Sequence, residues 1–177
     1  MKWDELRRLL RGPAADEQIP APGLTRVHVH CPGNAEEVLA RVRRALTIVL
    51  LEKPRRWPTN EEWRAKMPDW FVAVCKPEMT DEDEDRLMKL ARRNWPWTAG
   101  NWAYWFTPEQ RTWRWWDARV ENPDLLVIEL WVEDYMVRNA LDFLLRAAGA
   151  THADVIAPVA AADGEEAPAA TFIDRSS

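Results

Sequence analysis

A chain of 177 residues, 47% hydrophobic and 30% charged, is long enough to enclose one core and too apolar to stay disordered. Its formal net charge of −5 at pH 7 weighs against general nucleic-acid binding. No apolar run reaches the roughly 18 residues needed to cross a bilayer. The start, Met1-Lys2-Trp3-Asp4-Glu5-Leu6, lacks the apolar segment of a secretory leader, so a cytoplasmic location without membrane contact is expected.

Residues 4–11 place Leu6, Leu9 and Leu10 on one side of a short amphipathic helix. Gly12-Pro13 ends it, and residues 12–23, with Pro20 and Pro22, read as a linker. Residues 24–31 alternate, with Val27, Val29 and Cys31 pointing one way and Arg26, His28 and His30 the other, the mark of a half-buried strand. After the Pro32-Gly33 turn, Asn34 and Glu37 predict a capping box for a helix striped by Val38, Val42, Ala45 and Val49. Periodicity alone leaves residues 47–51 open between helix and strand, and helix is preferred.

Thr59 and Glu62 repeat the capping pattern ahead of a helix through Lys66. The run Trp70 to Cys75 predicts a strand buried on both faces, and Thr80 followed by Asp81, Glu82 and Asp83 predicts a helix whose acids complement its dipole. Its apolar side would be Leu87, Met88, Leu90 and Ala91. Three strands are expected next, at 102–106, 112–120 and 125–133, joined by turns at Pro108 and Asn122-Pro123-Asp124. A helix introduced by Asp134 and ended by Gly149 precedes a short edge segment at Val155-Ile156.

The expected fold is therefore α+β: a mostly antiparallel sheet with a C-terminal three-stranded meander and helices mainly on one face. Residues 1–157 form one domain, and the Ala, Pro and acidic residues of 158–177 form a mobile tail.

Signatures of catalysis are missing. No G-x-G-x-x-G, Walker loop, H-E-x-x-H or G-x-S-x-G occurs, and the two serines are Ser176-Ser177. A non-enzymatic role without cofactor is expected. Cys31 and Cys75 are too few for a disulfide framework and read as small buried side chains. His28 and His30 share a strand face, as a metal site requires, but the sequence supplies no third ligand at a recurrent spacing, so no metal is expected. Arg41, Arg43, Arg44, Lys53, Arg55 and Arg56 offer charge for single-stranded nucleic acid, but no accompanying aromatic-glycine pattern appears.

Two features point instead to recognition. The run Glu82, Asp83, Glu84 and Asp85 carries more acid than a helix dipole accounts for, and suits a basic partner. Seven of the twelve tryptophans fall within residues 95–116. In the strand reading, Trp113 and Trp115 share a face with Arg111 and Arg119, while Arg114 and Trp116 take the other. Both faces of the first two meander strands then carry aromatics: either they form a Trp-rich core with arginines stacked over the indoles, or one face stays open to a partner, with Trp113, Arg114 and Trp115 as the candidate anchors. The same indoles would give a carbohydrate or small ligand a stacking platform, the alternative function.

A small, acidic, α+β chain without catalytic motifs resembles in general type the immunity proteins that bacteria produce beside polymorphic or contact-delivered toxins. The likeness spans residues 1–157 and lies in architecture, not in a motif. It implies a stoichiometric inhibitor that occludes a cognate toxin's active site, its acids matched to a basic cleft.

Overall fold

The computed structural model describes residues 2–52, 56–87, 89 and 95–159. The order is α1 (Lys2–Arg11), β1 (Leu24–His30), α2 (Ala35–Leu51), α3 (Asn60–Lys66), α4 (Asp69–Val72), α5 (Asp81–Leu87), α6 (Ala99–Tyr104), β2 (Trp113–Asn122), β3 (Leu125–Val132), α7 (Asn139–Ala148) and β4 (His152–Val159). The class is α+β, with one four-stranded antiparallel sheet in the order β2-β3-β1-β4.

Alternation determines which sheet face is apolar. Val27 and Val29 of β1, Leu126, Ile128 and Leu130 of β3, and Trp113 and Trp115 of β2 are buried in one cluster with the α2 stripe Val38, Val42, Ala45, Leu46 and Val49. Leu6 and Leu9 of α1 and Leu141, Leu144 and Leu145 of α7 complete that layer. Residues 47–51 continue α2, so its apolar stripe runs the full length of the helix. Gly149 ends α7 in the left-handed region at φ 114°, where a side chain would be strained.

The two capping expectations part company. Thr59 and Glu62 form the reciprocal box: the Glu62 amide donates to Thr59 Oγ1 at 3.3 Å and the Thr59 amide to Glu62 Oε2 at 2.7 Å. Asn34 makes no side-chain cap. The Ala35 amide donates instead to the Pro123 carbonyl at 3.0 Å, and Glu37 pairs with Arg41 one turn on. The β2–β3 turn thus satisfies the first amide of α2, not the one the expected box would have capped.

Three strand expectations need correction. Trp70 to Cys75 is not a strand: Pro68 precedes the single turn of α4, and Phe71 is buried against Trp102 and Phe143. Residues 102–106 lie in α6 and the turn after it, where Trp102, Ala103 and Phe106 are buried at helical spacing. The meander accordingly has two strands, β2 and β3, not three. The expected edge segment is real and longer, because β4 pairs with β1 along its length.

A β-bulge also changes the faces of β2. Trp115 pairs with Leu130 and Asp117 with Glu129, so Trp116 is the extra residue and the alternation inverts beyond it. Arg119 therefore leaves the face of Trp113 and Trp115 and pairs with Glu129 on the other. Among the described residues, no helix is long and apolar enough to cross a membrane. Pro158 and Val159, expected to begin the tail, belong to β4; the rest of that tail, and Met88, Leu90 and Ala91 of the expected helix face, lie outside the described residues.

Candidate functional site

The indoles expected to form a docking surface are packed inside. Trp113 and Trp115 are buried, as are Trp97, Trp102 and Trp116, so neither proposed tryptophan anchor presents a ring to solvent. Trp102 Nε1 donates to the Ala140 carbonyl at 2.8 Å, and its ring meets Phe71 and Phe106. The Trp116 ring lies beneath the Arg8 guanidinium, 4.7 Å from its centroid. Arg114 is half-buried and donates to the Arg111 and Trp113 carbonyls, in a shallow groove that Trp131 and Tyr135 help to line. The buried rings of Trp102, Trp113, Trp115 and Trp116 therefore offer no stacking platform to a carbohydrate or small ligand, while Tyr104 is exposed and Trp105 half-buried.

The acidic run divides in two. Asp83 is only 4% exposed. Its Oδ2 accepts the Thr80 amide at 3.1 Å and the Thr80 hydroxyl at 2.9 Å, its own amide donates back to Thr80 Oγ1, and Lys76 Nζ donates to its Oδ1. Thr80 is thus the N-cap of α5 and Asp83 its reciprocal partner one turn in, not a contact acid, which corrects its place in the expected patch. Glu82, Glu84 and Asp85 are exposed. Glu82 pairs with Arg86 one turn on, and no ion pair joins Glu84 or Asp85 to another described residue. Three carboxylates are thus carried to solvent on a turn that Asp83 holds in place.

The Lys76 ammonium beside Asp83, with the Thr80 amide, holds its carboxyl down at about 2. Because that value lies below the unfolded one of about 4, Asp83 stabilises the fold above pH 4, and the contribution is lost as pH falls through about 2. The Ala14 amide with Arg7 and Arg8 does the same for Glu17, and Arg56 with the Thr59 amide for Glu62, each held at about 2. Melting temperature is accordingly expected to fall between pH 4 and pH 2. The slope in Asp83→Asn should be shallower but not flat; an unchanged slope would remove Asp83 from this account.

The second sheet face is polar. Arg26 and Arg119 both bond Glu129 across the strands, and Arg119 also bonds Glu121. Further along, His28 stands opposite Val127 and Asp154, and His30 opposite Leu125 and His152. His30, His152 and Asp154 come together there, with side chains 42%, 58% and 59% exposed. Sequence reasoning paired His28 with His30 along β1, but the structure pairs His30 with His152 across strands. The missing signal was the alternation of His152, Asp154 and Ile156 around Ala153 and Val155 on the edge strand.

Cys31 and Cys75 are free and buried. Burial pushes the Cys31 thiol up and the Cys75 thiol up to about 12, so neither is poised as a nucleophile. Of the expected basic cluster, Arg41 is committed to Glu37 and the Ala148 carbonyl and Arg56 to Glu62, while Lys53 and Arg55 lie outside the described residues.

No family model matches the chain, and no curated protein or solved structure matches it either.

Proposed function

We propose that this chain is a protein-binding module, a stoichiometric inhibitor of the immunity type that occludes the active site of a cognate toxin. The observation that carries the reading is the ridge of Glu82, Glu84 and Asp85, exposed on a helical turn that Asp83, Thr80 and Lys76 fix from below. Carboxylates mounted on a pre-ordered turn lose little freedom on docking, and they steer a basic cleft toward themselves over a Debye length of roughly 8 Å at physiological salt. Asp83 has no part in the contact, and the anchors once expected at Trp113 and Trp115 are replaced by the acids alone. The partner is a protein with a basic cleft.

The test is capture from an extract of the native host by the immobilised chain, beside a triple reversal, Glu82→Lys with Glu84→Lys and Asp85→Lys. The reading expects one protein retained at a one-to-one ratio, its enzymatic activity blocked in the complex, and at least about a tenfold loss of affinity in the triple variant. Circular dichroism should match between the two chains, because none of the three side chains is buried. Equal retention by both chains would contradict the assignment to α5.

A further inference from the structure

We infer that His30, His152 and Asp154 form a binding site for a divalent transition-metal ion of the zinc class. The site lies on β1 and β4, remote in sequence from α5, and does not depend on the inhibitor reading.

Strand geometry builds it. Cross-strand pairing sets His30 directly opposite His152, and the two rings stack with centroids 3.9 Å apart and planes 8° from parallel. Two residues along β4, alternation returns Asp154 to the same face. Its Oδ2 lies 3.3 Å from His30 Nε2 and 3.7 Å from His152 Nε2, and the three ligand atoms all lie within 4.8 Å of one another. Zinc bonds of about 2.0–2.2 Å at tetrahedral angles separate neighbouring ligand atoms by roughly 3.3–3.6 Å. Two of the three separations are therefore close to what a bound ion requires, and the third lies within 4.8 Å.

The hydrogen bonds of Thr151 decide which atom of His152 faces Asp154. Thr151 Oγ1 donates to the His30 carbonyl at 3.1 Å and lies 3.3 Å from His152 Nδ1. A carbonyl only accepts, so the single hydroxyl proton is spent there, and toward His152 the oxygen is an acceptor. With the hydroxyl donating to that carbonyl, the contact at Nδ1 needs the ring hydrogen on Nδ1, which leaves Nε2, 3.7 Å from Asp154 Oδ2, as the atom that can hold an ion. This is the outer support typical of metal-bound histidine, with one ring nitrogen held by an oxygen and the other left for the ion. The Thr151 amide donates to the same His30 carbonyl at 2.9 Å, tying that support to the strand bearing the other imidazole. Two imidazoles and one carboxylate suit zinc and its neighbours, and leave a coordination position for water or a further ligand.

Zinc chloride titrated into the purified full chain at pH 7.5, in competition with a chromogenic chelator, reads the site directly. One equivalent is expected to bind. His30→Ala, His152→Ala and Asp154→Ala should each weaken binding by about a hundredfold or more, and Thr151→Val, which removes only the support, by about tenfold. His28→Ala, on the same sheet face but outside the cluster, should stay within about threefold of the parent. All five side chains lie on the outer sheet face or in the turn before β4, and unchanged circular dichroism checks that each variant folds. Less than one equivalent bound, or an affinity that survives both His30→Ala and Asp154→Ala, would overturn the site and leave an imidazole–carboxylate ion pair.

Discussion

Arg111→Met is expected to destabilise the chain by about 3–5 kcal/mol, the usual cost of leaving one member of a buried ion pair alone. Glu5 on α1 and Arg111 ahead of β2 have side chains only 2% and 5% exposed. Both guanidinium nitrogens of the fork donate to the Glu5 carboxylate, which also accepts the Trp115 amide at 2.6 Å. The guanidinium sits over the Trp113 ring, 4.9 Å from its centroid. Burial pushes the Arg111 pKa down and the Glu5 carboxylate opposes that shift, so the pair is held by mutual neutralisation at a site that excludes water. Remove the arginine and a carboxylate remains in the core. Replacing both members, Glu5→Leu with Arg111→Met, should recover much of the loss, because two apolar side chains leave no charge to strand. Urea unfolding midpoints compare the three chains, and a loss below about 1 kcal/mol in the single variant would contradict the burial of this pair.

The second large effect is expected at Trp102. Trp102→Ala should cost about 3–5 kcal/mol, because the ring is fully buried and its removal opens a cavity between elements that cannot collapse together. The indole touches Phe71 of α4 and Phe106 after α6, both at 4.6 Å between centroids, and bonds the Ala140 carbonyl of α7. It thereby joins the helical segment between the first and second strands to the layer on the sheet. Trp102→Phe keeps most of the ring and loses the hydrogen bond, worth about 1 kcal/mol, and should fall between parent and alanine variant in denaturant unfolding. If the alanine variant unfolded with the parent, residues 69–106 would not be fastened through this ring.

The sheet strands with clean alternation were legible from the sequence, as was the aromatic strand β2, but two other aromatic segments were not. Val27, Val29 and Cys31 against Arg26, His28 and His30 gave β1 its two faces, and Leu126, Ile128, Leu130 and Val132 did the same for β3. Both segments are long enough for a period of two to be unmistakable. Trp70 to Cys75 and Trp102 to Phe106 misled because aromatic and β-branched residues favour strands in general, whereas here packing against Phe143 and Ala140 of α7 prevails. A local signal did exist: Thr98 Oγ1 accepts the Asn101 amide at 3.1 Å and so starts α6, a cap readable as Thr-Ala-Gly-Asn. The inversion at Trp116 had no such mark, since a bulge is set by the partner strand. Of the recognition residues, Glu82, Glu84 and Asp85 stand exposed as expected, while Asp83, Trp113 and Trp115 went inward for reasons of capping and core formation. The sequence set His30 beside His28 on one strand face, whereas the structure sets it opposite His152 on β4, a pairing that spacing along one strand does not encode.

Association kinetics against ionic strength test the acidic ridge most directly. With the captured partner in solution, the parent chain should bind rapidly at low salt and slow steeply as salt rises, because its carboxylates steer the encounter. The triple reversal at Glu82, Glu84 and Asp85 should bind slowly throughout and respond weakly to salt. Identical salt slopes for the two chains would contradict the claim that α5 meets the partner.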